Sequence, residues 1–202
     1  MGIGLRRAFH LRWSFWAIVS GPFLLSIFLI SAVWYYSPNS RTADQQQYLV
    51  YSAYLTEVFR SDSLVVIQSR TQSGRTRFNL RRFRFLREKL PGLQKQTFLN
   101  FVWMNQEPLD LTHAISLPTK YELVAKKELD DLWGAPDRGY WRRFPDAYGY
   151  VALSRVGFNR DSSQALFYID HFCGLCGGGR FVLMRSVNGR WVVTEEAWTW
   201  IS

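Results

Sequence analysis

The stretch QALFYIDHFCGLCGGGRFVLMRSVNGRWVVTEEAWT, from Gln164 to Thr199, decides the fold that this sequence predicts. It is rich in β-branched and aromatic residues. Two turn signals divide it: the glycine-rich segment after Phe172 and the pair Asn188-Gly189, which strongly favours a two-residue hairpin turn. Together with a similar run just upstream, it predicts an antiparallel meander with strands over residues 150–156, 164–171, 180–186 and 190–199.

The chain upstream of the meander has mostly helical periodicity. Apolar residues at helical spacing predict helices over residues 43–59, 80–90, 97–105 and 126–133, and short apolar runs predict strands over 63–69 and 120–125. The alternation Arg82-Phe83-Arg84-Phe85 also fits a strand, so both interpretations of that segment stay open. Helices followed by a meander form an α+β pattern, in which we expect helices packed on one face of a sheet of about four to six strands.

An apolar run without a formal charge extends from Trp13 to Tyr36. It is long enough to cross a bilayer, for which about 20 apolar residues suffice. Arg6, Arg7 and Arg12 precede the run, and the positive-inside rule then keeps the N-terminus in the cytoplasm. A cleaved signal peptide is the competing interpretation, but the run is long and no small-x-small cleavage site follows it.

These features predict the domain organisation of the chain. We expect a cytoplasmic basic tail over residues 1–12, a transmembrane helix over 13–36, a linker over 37–44 and one extracytoplasmic α+β domain over 45–202. Two cysteines are too few for a disulfide scaffold, so this domain must fold by burial of apolar side chains.

Most of the net charge of +9 is local. The segment from Arg70 to Lys89 holds eight basic residues and one acid, Glu88. On a helical wheel six of the basic residues lie opposite an apolar stripe: Arg75, Arg77, Arg81, Arg82, Arg84 and Lys89. Arginine interleaved with aromatic residues suits phosphate-rich surfaces. We therefore expect anionic lipid or an anionic envelope polymer as partner rather than nucleic acid, which is scarce outside the cytoplasm; a merely solvated helix face is the alternative.

The most distinctive local motif is a cysteine turn between two predicted strands. It comprises Cys173, Gly174, Leu175, Cys176, Gly177, Gly178 and Gly179. The first interpretation is a disulfide that rigidifies the turn, since neighbouring thiols oxidise outside the cytoplasm. The second is a redox-active pair, although such pairs usually precede a helix and a strand is predicted here. Gly174, Gly177, Gly178 and Gly179, with Asn188 and Gly189 in the next turn, are the predicted turn-forming residues.

The third interpretation of this turn is a metal site. His171, Cys173 and Cys176 lie within six residues, and zinc accepts nitrogen and sulfur ligands. A structural zinc site requires four ligands, and the sequence has no second cysteine pair. We therefore predict no cofactor and keep a metal ion as the alternative.

No catalytic signature accompanies these motifs. The acidic pairs Asp130-Asp131 and Glu195-Glu196 are neighbours in sequence only, and neighbouring residues on a strand point to opposite faces. The sequence has no phosphate-binding loop, dinucleotide fingerprint or nucleophile elbow. A binding or structural role is therefore expected rather than an enzymatic one, and the sequence does not identify a protein partner.

The segment Leu153-Ser154-Arg155-Val156-Gly157-Phe158-Asn159, with the following Gln164–Tyr168 run and the cysteine turn, resembles a family of uncharacterised bacterial envelope proteins. That family has a similar Ser-Arg-Val-Gly-Phe-Asn run, a cysteine-glycine turn and a Gly-Lys/Arg-Trp hairpin, here Gly189-Arg190-Trp191. The chain departs from the family in its arginine-rich segment and in having one residue fewer between its cysteines. The resemblance implies no established activity. The meander also resembles the curved sheet of cone-like α+β rolls.

The sequence thus predicts a single-pass protein of the bacterial cytoplasmic membrane with an extracytoplasmic binding or structural domain. In this interpretation the segment from Arg70 to Lys89 contacts anionic lipid or envelope polymers. The alternative is a thiol-disulfide or metal-binding module centred on His171, Cys173 and Cys176.

Overall fold

The computed structural model describes residues 40–59, 63–73, 80–112 and 114–202. The chain divides into two compact units, Met1–Ala43 and Asp44–Ser202, and the fold described below is that of the second unit. The predicted tail and transmembrane helix, residues 1–36, lie outside the described residues. Within the described ranges, no helix combines the length and the apolar character needed to cross a membrane.

Helices and strands alternate in the first part of this unit, and strands alone follow. The helices are α1 (Ser40–Val58), α2 (Leu80–Lys89), α3 (Lys95–Met104), α4 (Lys126–Gly134) and α5 (Gly139–Arg143). The strands are β1 (Leu64–Gln68), β2 (Tyr121–Val124), β3 (Ala147–Leu153), β4 (Gly157–Phe158), β5 (Gln164–Phe172), β6 (Gly178–Val187) and β7 (Arg190–Ile201). The α+β class is therefore confirmed.

One mixed sheet contains all of these strands, in the order β2-β1-β3-β5-β6-β7, with β4 paired to β5. The predicted meander is present, since β3, β5, β6 and β7 pair with one another in antiparallel fashion. In contrast, β1 pairs in parallel with both β2 and β3. Parallel neighbours require long crossover connections, which the short apolar runs of β1 and β2 could not reveal.

Helices cover both faces of the sheet, whereas one face was predicted, because the helices of both crossovers lie on one face and α1, which precedes β1, lies on the other. The connection from β1 to β2 contains α2 and α3, and the connection from β2 to β3 contains α4 and α5. Side chains such as Leu166 and Leu183 pack under α2 and α3, and Val66 packs under α4 and α5 on the same face. The other face, called here the α1 face, packs Phe167 and Val182 against α1. The prediction of a one-sided sheet was therefore wrong.

Helix α1 is held to its face by aromatic side chains at helical spacing. Tyr51 and Tyr54 are buried, and both rings meet the ring of Phe167 edge-on, at centroid distances of 5.9 and 5.1 Å. The Tyr51 hydroxyl also donates a 2.7 Å hydrogen bond to the carbonyl oxygen of Ser154. A buried aromatic residue of this kind contributes about 3 kcal/mol or more when its cavity cannot collapse.

Candidate functional site

The cysteine turn connects β5 to β6. The Sγ atoms of Cys173 and Cys176 lie 2.09 Å apart and their Cα atoms 5.4 Å apart, which places the pair at disulfide distance, as predicted. Cys173 is buried, whereas Cys176 is exposed and the Leu175 side chain between them is 96% exposed. A strand rather than a helix follows at Gly178, so no helix begins beside the cysteines to favour a reactive thiolate.

The glycines after Cys176 make room for two tryptophans of β7. A Cβ on Gly178 would lie 2.6 Å from the Trp198 ring, and a Cβ on Gly179 would lie 2.1 Å from Trp200 Nε1. Because successive strand residues face opposite sides, the two indoles cover opposite faces of the sheet. The bulge between the partners of Gly179 and Arg180 produces this arrangement, since two tryptophans two residues apart on a regular strand would share one face.

The remaining predicted turn residues lie at positions that require unusual backbone angles. Gly174 in the cysteine turn has φ +81°. In the hairpin between β6 and β7, Asn188 and Gly189 both have positive φ, 51° and 76°. Two consecutive residues with positive φ are the requirement of the type I′ turn that Asn-Gly favours.

A buried polar cluster lies behind the cysteine turn, on the face opposite α1. Asp170 is 2% exposed, and its Oδ1 accepts hydrogen bonds from the Tyr168 hydroxyl at 2.8 Å and from Trp200 Nε1 at 2.7 Å. The Tyr168 hydroxyl also lies 3.0 Å from Thr199 Oγ1. The cluster ties the end of β7 to β5 across Gly179. Sequence reasoning missed it, because the bulge that brings Trp200 over Gly179 has no sequence signal.

His171, the third residue of the predicted metal site, makes other contacts. Its Nε2 lies 2.9 Å from the carbonyl oxygen of Tyr148, and its ring meets the Phe59 ring edge-on at 5.7 Å. Burial lowers the pKa of His171 below its ordinary value, and the nearby charge of Arg180 acts in the same direction. Among the residues that the structure describes, no three His, Cys, Asp or Glu side chains are grouped to hold a metal ion. The metal hypothesis gains no support from this arrangement and stays a prediction.

A partly buried ion pair lies on the α1 face beside His171. Arg180 Nε is 2.9 Å from Glu196 Oε1, and the guanidinium lies 4.4 Å from the centroid of a Trp198 ring. The Tyr54 hydroxyl donates to the same carboxylate oxygen at 3.2 Å. Glu195 instead accepts hydrogen bonds from the backbone N–H of Gly92 on the opposite side of the sheet. The two neighbouring glutamates therefore diverge, as strand geometry predicts.

The arginine-rich segment forms helix α2 where the structure describes it. Leu86 of this helix and Leu90, which directly follows it, are fully buried, whereas Arg81, Arg84 and Lys89 are exposed. Arg75 and Arg77 lie outside the described residues, as does the side chain of Arg82. The predicted helix with an apolar stripe and an exposed basic side is therefore present over Leu80–Lys89.

Several cations in this region have no anionic partner among the residues that the structure describes. Within the described part of the chain, no ion pair forms at Arg84, Arg87, Lys89 or Lys95. The Arg87 guanidinium instead lies 5.9 Å from the centroid of the Phe83 ring. Exposed cations without local neutralisation attract anions, and the attraction weakens as salt rises.

Two adjacent grooves border the basic side of α2. One, of about 530 Å³, is lined by Phe83, Arg87, Leu90, Pro91, Leu93 and Lys95. The other, of about 480 Å³, is lined by Phe83, Arg84, Arg87 and Glu88. Sequence reasoning found the cations but not the grooves, whose walls depend on how the chain turns after Pro91.

Comparisons of this chain with protein-family models, with curated proteins and with solved structures find no match. The geometry of the described residues therefore carries the functional argument.

We expect the disulfide to contribute modestly to stability. In a Cys173→Ser/Cys176→Ser variant, the free energy of unfolding should fall by at most about 2 kcal/mol, because the bridge closes a loop of only a few residues. Urea unfolding of the full chain in detergent micelles, followed by tryptophan fluorescence, measures this change. A thiol titration of the unmodified native chain should detect no reactive cysteine, and two titratable thiols would contradict the bridge.

Proposed function

We propose that this protein is a single-pass membrane protein whose extracytoplasmic domain contacts an anionic membrane surface through the exposed basic side of α2. The apolar segment from Trp13 to Tyr36 would anchor the chain in the bacterial cytoplasmic membrane, with the N-terminus inside. Membership of the envelope family and the cone-like roll are part of the same proposal. The observation that carries it is the group formed by Arg84, Arg87 and Lys89, exposed cations on α2 that have no ion-pair partner among the described residues.

The way in which α2 packs supports a surface contact. Its apolar side packs into the core through Leu86 and Leu90, so the basic side faces outward. A cation close to an anionic bilayer contributes about 1 kcal/mol. Three such residues would therefore contribute about 3 kcal/mol, enough to keep a tethered domain against the surface. A bilayer is the nearest phosphate-rich surface for an anchored chain, which favours lipid over a soluble polymer.

The test uses the full chain in nanodiscs with a fluorophore attached at Glu88→Cys, an exposed position on α2. Lipids that carry a quencher at the headgroup report the proximity of α2 to the surface. We expect quenching to rise when phosphatidylglycerol is added to phosphatidylcholine at about 0.1 M salt, and to fall at about 1 M salt. The variant Arg84→Gln/Arg87→Gln/Lys89→Gln should lose the response to anionic lipid.

A matched control removes the same charge from elsewhere on the domain. Lys120, Arg138 and Arg190 are exposed and lie outside α2, so their triple substitution by Gln should leave the quenching response unchanged. Quenching that ignores lipid charge, or that falls equally in both triple variants, would leave α2 as an ordinary solvated helix. A response to a soluble anionic polymer but not to anionic lipid would instead indicate that α2 contacts an envelope polymer.

A further inference from the structure

The larger groove beside α2 combines cations with an apolar lining. Arg87 and Lys95 supply its positive charge, and Phe83, Pro91 and Leu93 supply its apolar surface above the fully buried Leu90. Its volume of about 530 Å³ falls within the range of small-molecule sites, which run from roughly 300 to 1,000 Å³. None of the described residues that line this groove is acidic, whereas Glu88 lines the neighbouring one. The larger groove therefore suits an anion better than its neighbour does.

One wall of this groove is fixed to the sheet by hydrogen bonds at Gly92. The Gly92 N–H donates to the Glu195 carboxylate at 3.1 Å, and its carbonyl oxygen accepts from Gln164 Nε2 at 2.9 Å and Arg185 Nη2 at 3.3 Å. Leu90 at the base is fully buried. Since the wall and base are held in place, a ligand would bear little of the entropic cost of ordering them.

We infer that this groove binds one molecule of an anionic amphiphile, a phosphate ester with an alkyl chain. The phosphate contacts Arg87 and Lys95, and the chain lies along Phe83 and Leu93. Charge complementarity selects the phosphate, because both cations lack an ion-pair partner in the described residues. The apolar residues select the chain. This inference rests on the proposed function for the source of the ligand, a lipid of the nearby membrane.

The test titrates hexyl phosphate into the full chain in phosphatidylcholine nanodiscs. Methyl NMR resonances of Leu90 and Leu93 report occupancy of the groove. We expect a saturable shift with hexyl phosphate, at least about tenfold weaker binding of inorganic phosphate, and no saturable shift with hexanol. Arg87→Gln/Lys95→Gln should weaken the binding of hexyl phosphate about tenfold or more.

A second double variant distinguishes binding in the groove from a general effect of the positive charge of α2. Arg81→Gln/Lys89→Gln also removes two cations from α2, but neither residue lines the groove, so hexyl phosphate binding should stay unchanged. Equal affinity for inorganic phosphate, non-saturating shifts, or unchanged binding in Arg87→Gln/Lys95→Gln would overturn the inference. Hexyl phosphate binding without any surface contact would contradict the proposed function alone. Surface contact without hexyl phosphate binding would contradict this inference alone.

Discussion

Gly157→Ala should destabilise the domain by about 3 kcal/mol, because the added methyl group has no space. A Cβ at Gly157 would lie 2.3 Å from both the Cα and the backbone nitrogen of Phe101 in α3. A helix backbone cannot yield as a flexible side chain can. It is also held there, since Asn100 Oδ1 accepts a 2.8 Å hydrogen bond from the Phe158 N–H. Relief of the clash would require α3 to leave the sheet and expose the buried rings beneath it.

Urea unfolding of the full chain in detergent micelles measures this effect, with Gly134→Ala as the matched control. A Cβ at Gly134, the last residue of α4, meets no atom within 4 Å. That substitution should leave stability unchanged or raise it by up to about 1 kcal/mol, since alanine restricts the unfolded chain. If both variants unfold at the same urea concentration, the close approach of α3 to β4 does not exist in solution.

The Ser154–Asn159 segment, on which the family resemblance depends, acts in this structure as a scaffold. Ser154 Oγ accepts a hydrogen bond from the Tyr168 N–H at 2.7 Å, and Arg155 pairs with Asp44 of α1 at 2.8 Å. Asn159 Oδ1 accepts from the Gln164 N–H at 2.8 Å. These three side chains therefore join the segment that follows β3 to α1 and to β5. A motif that fixes a fold in this way can recur without sharing a ligand.

Local periodicity predicted the elements of the fold well but not their parallel pairing. Helix α2 follows from its apolar stripe at helical spacing. The four meander strands follow from residue spacing and turn signals, because successive strands along the chain are also neighbours in the sheet. Strand β1 offered only Leu64-Val65-Val66-Ile67, a buried run compatible with parallel or antiparallel partners. Its parallel pairing with β2 and β3 depends on crossovers of more than 20 residues, and those place α2 to α5 on the face opposite α1.

The candidate binding region was predictable in charge but not in shape. A helical wheel identified the exposed Arg84 and Lys89 correctly, because α2 is regular and one side is buried. The groove requires Leu93 and Lys95 to return beside Phe83 after the turn at Pro91. That return is set by the contacts of Gly92 with Glu195 and Gln164, about 100 and 70 residues away along the chain. Contacts at such separations leave no local pattern.

The second large effect is expected at Asp170. Asp170→Ala should lower the free energy of unfolding by about 3 kcal/mol, because Trp200 Nε1 and the Tyr168 hydroxyl each lose an acceptor in a buried setting. Asp170→Asn keeps one oxygen acceptor and should lose roughly half as much. The same urea unfolding assay measures both changes. Asp131→Ala is the matched control, since that exposed carboxylate pairs with Lys127 at the surface, where solvent screens the interaction, and its loss should leave stability nearly unchanged.

The residues that lose protection from hydrogen exchange in Asp170→Ala show whether Asp170 stabilises only the end of β7 or the whole domain. Asp170 joins β5 to the final residues of β7 across Gly179, where a side chain would collide with Trp200 and Tyr168. Hydrogen exchange in Asp170→Ala should therefore accelerate first at the N–H groups of residues 198–201 and at the cysteine turn, while α1 and β1 stay protected. Uniform acceleration across the sheet would instead mean that Asp170 supports the whole core. An unchanged urea midpoint would mean that water replaces its hydrogen bonds without cost.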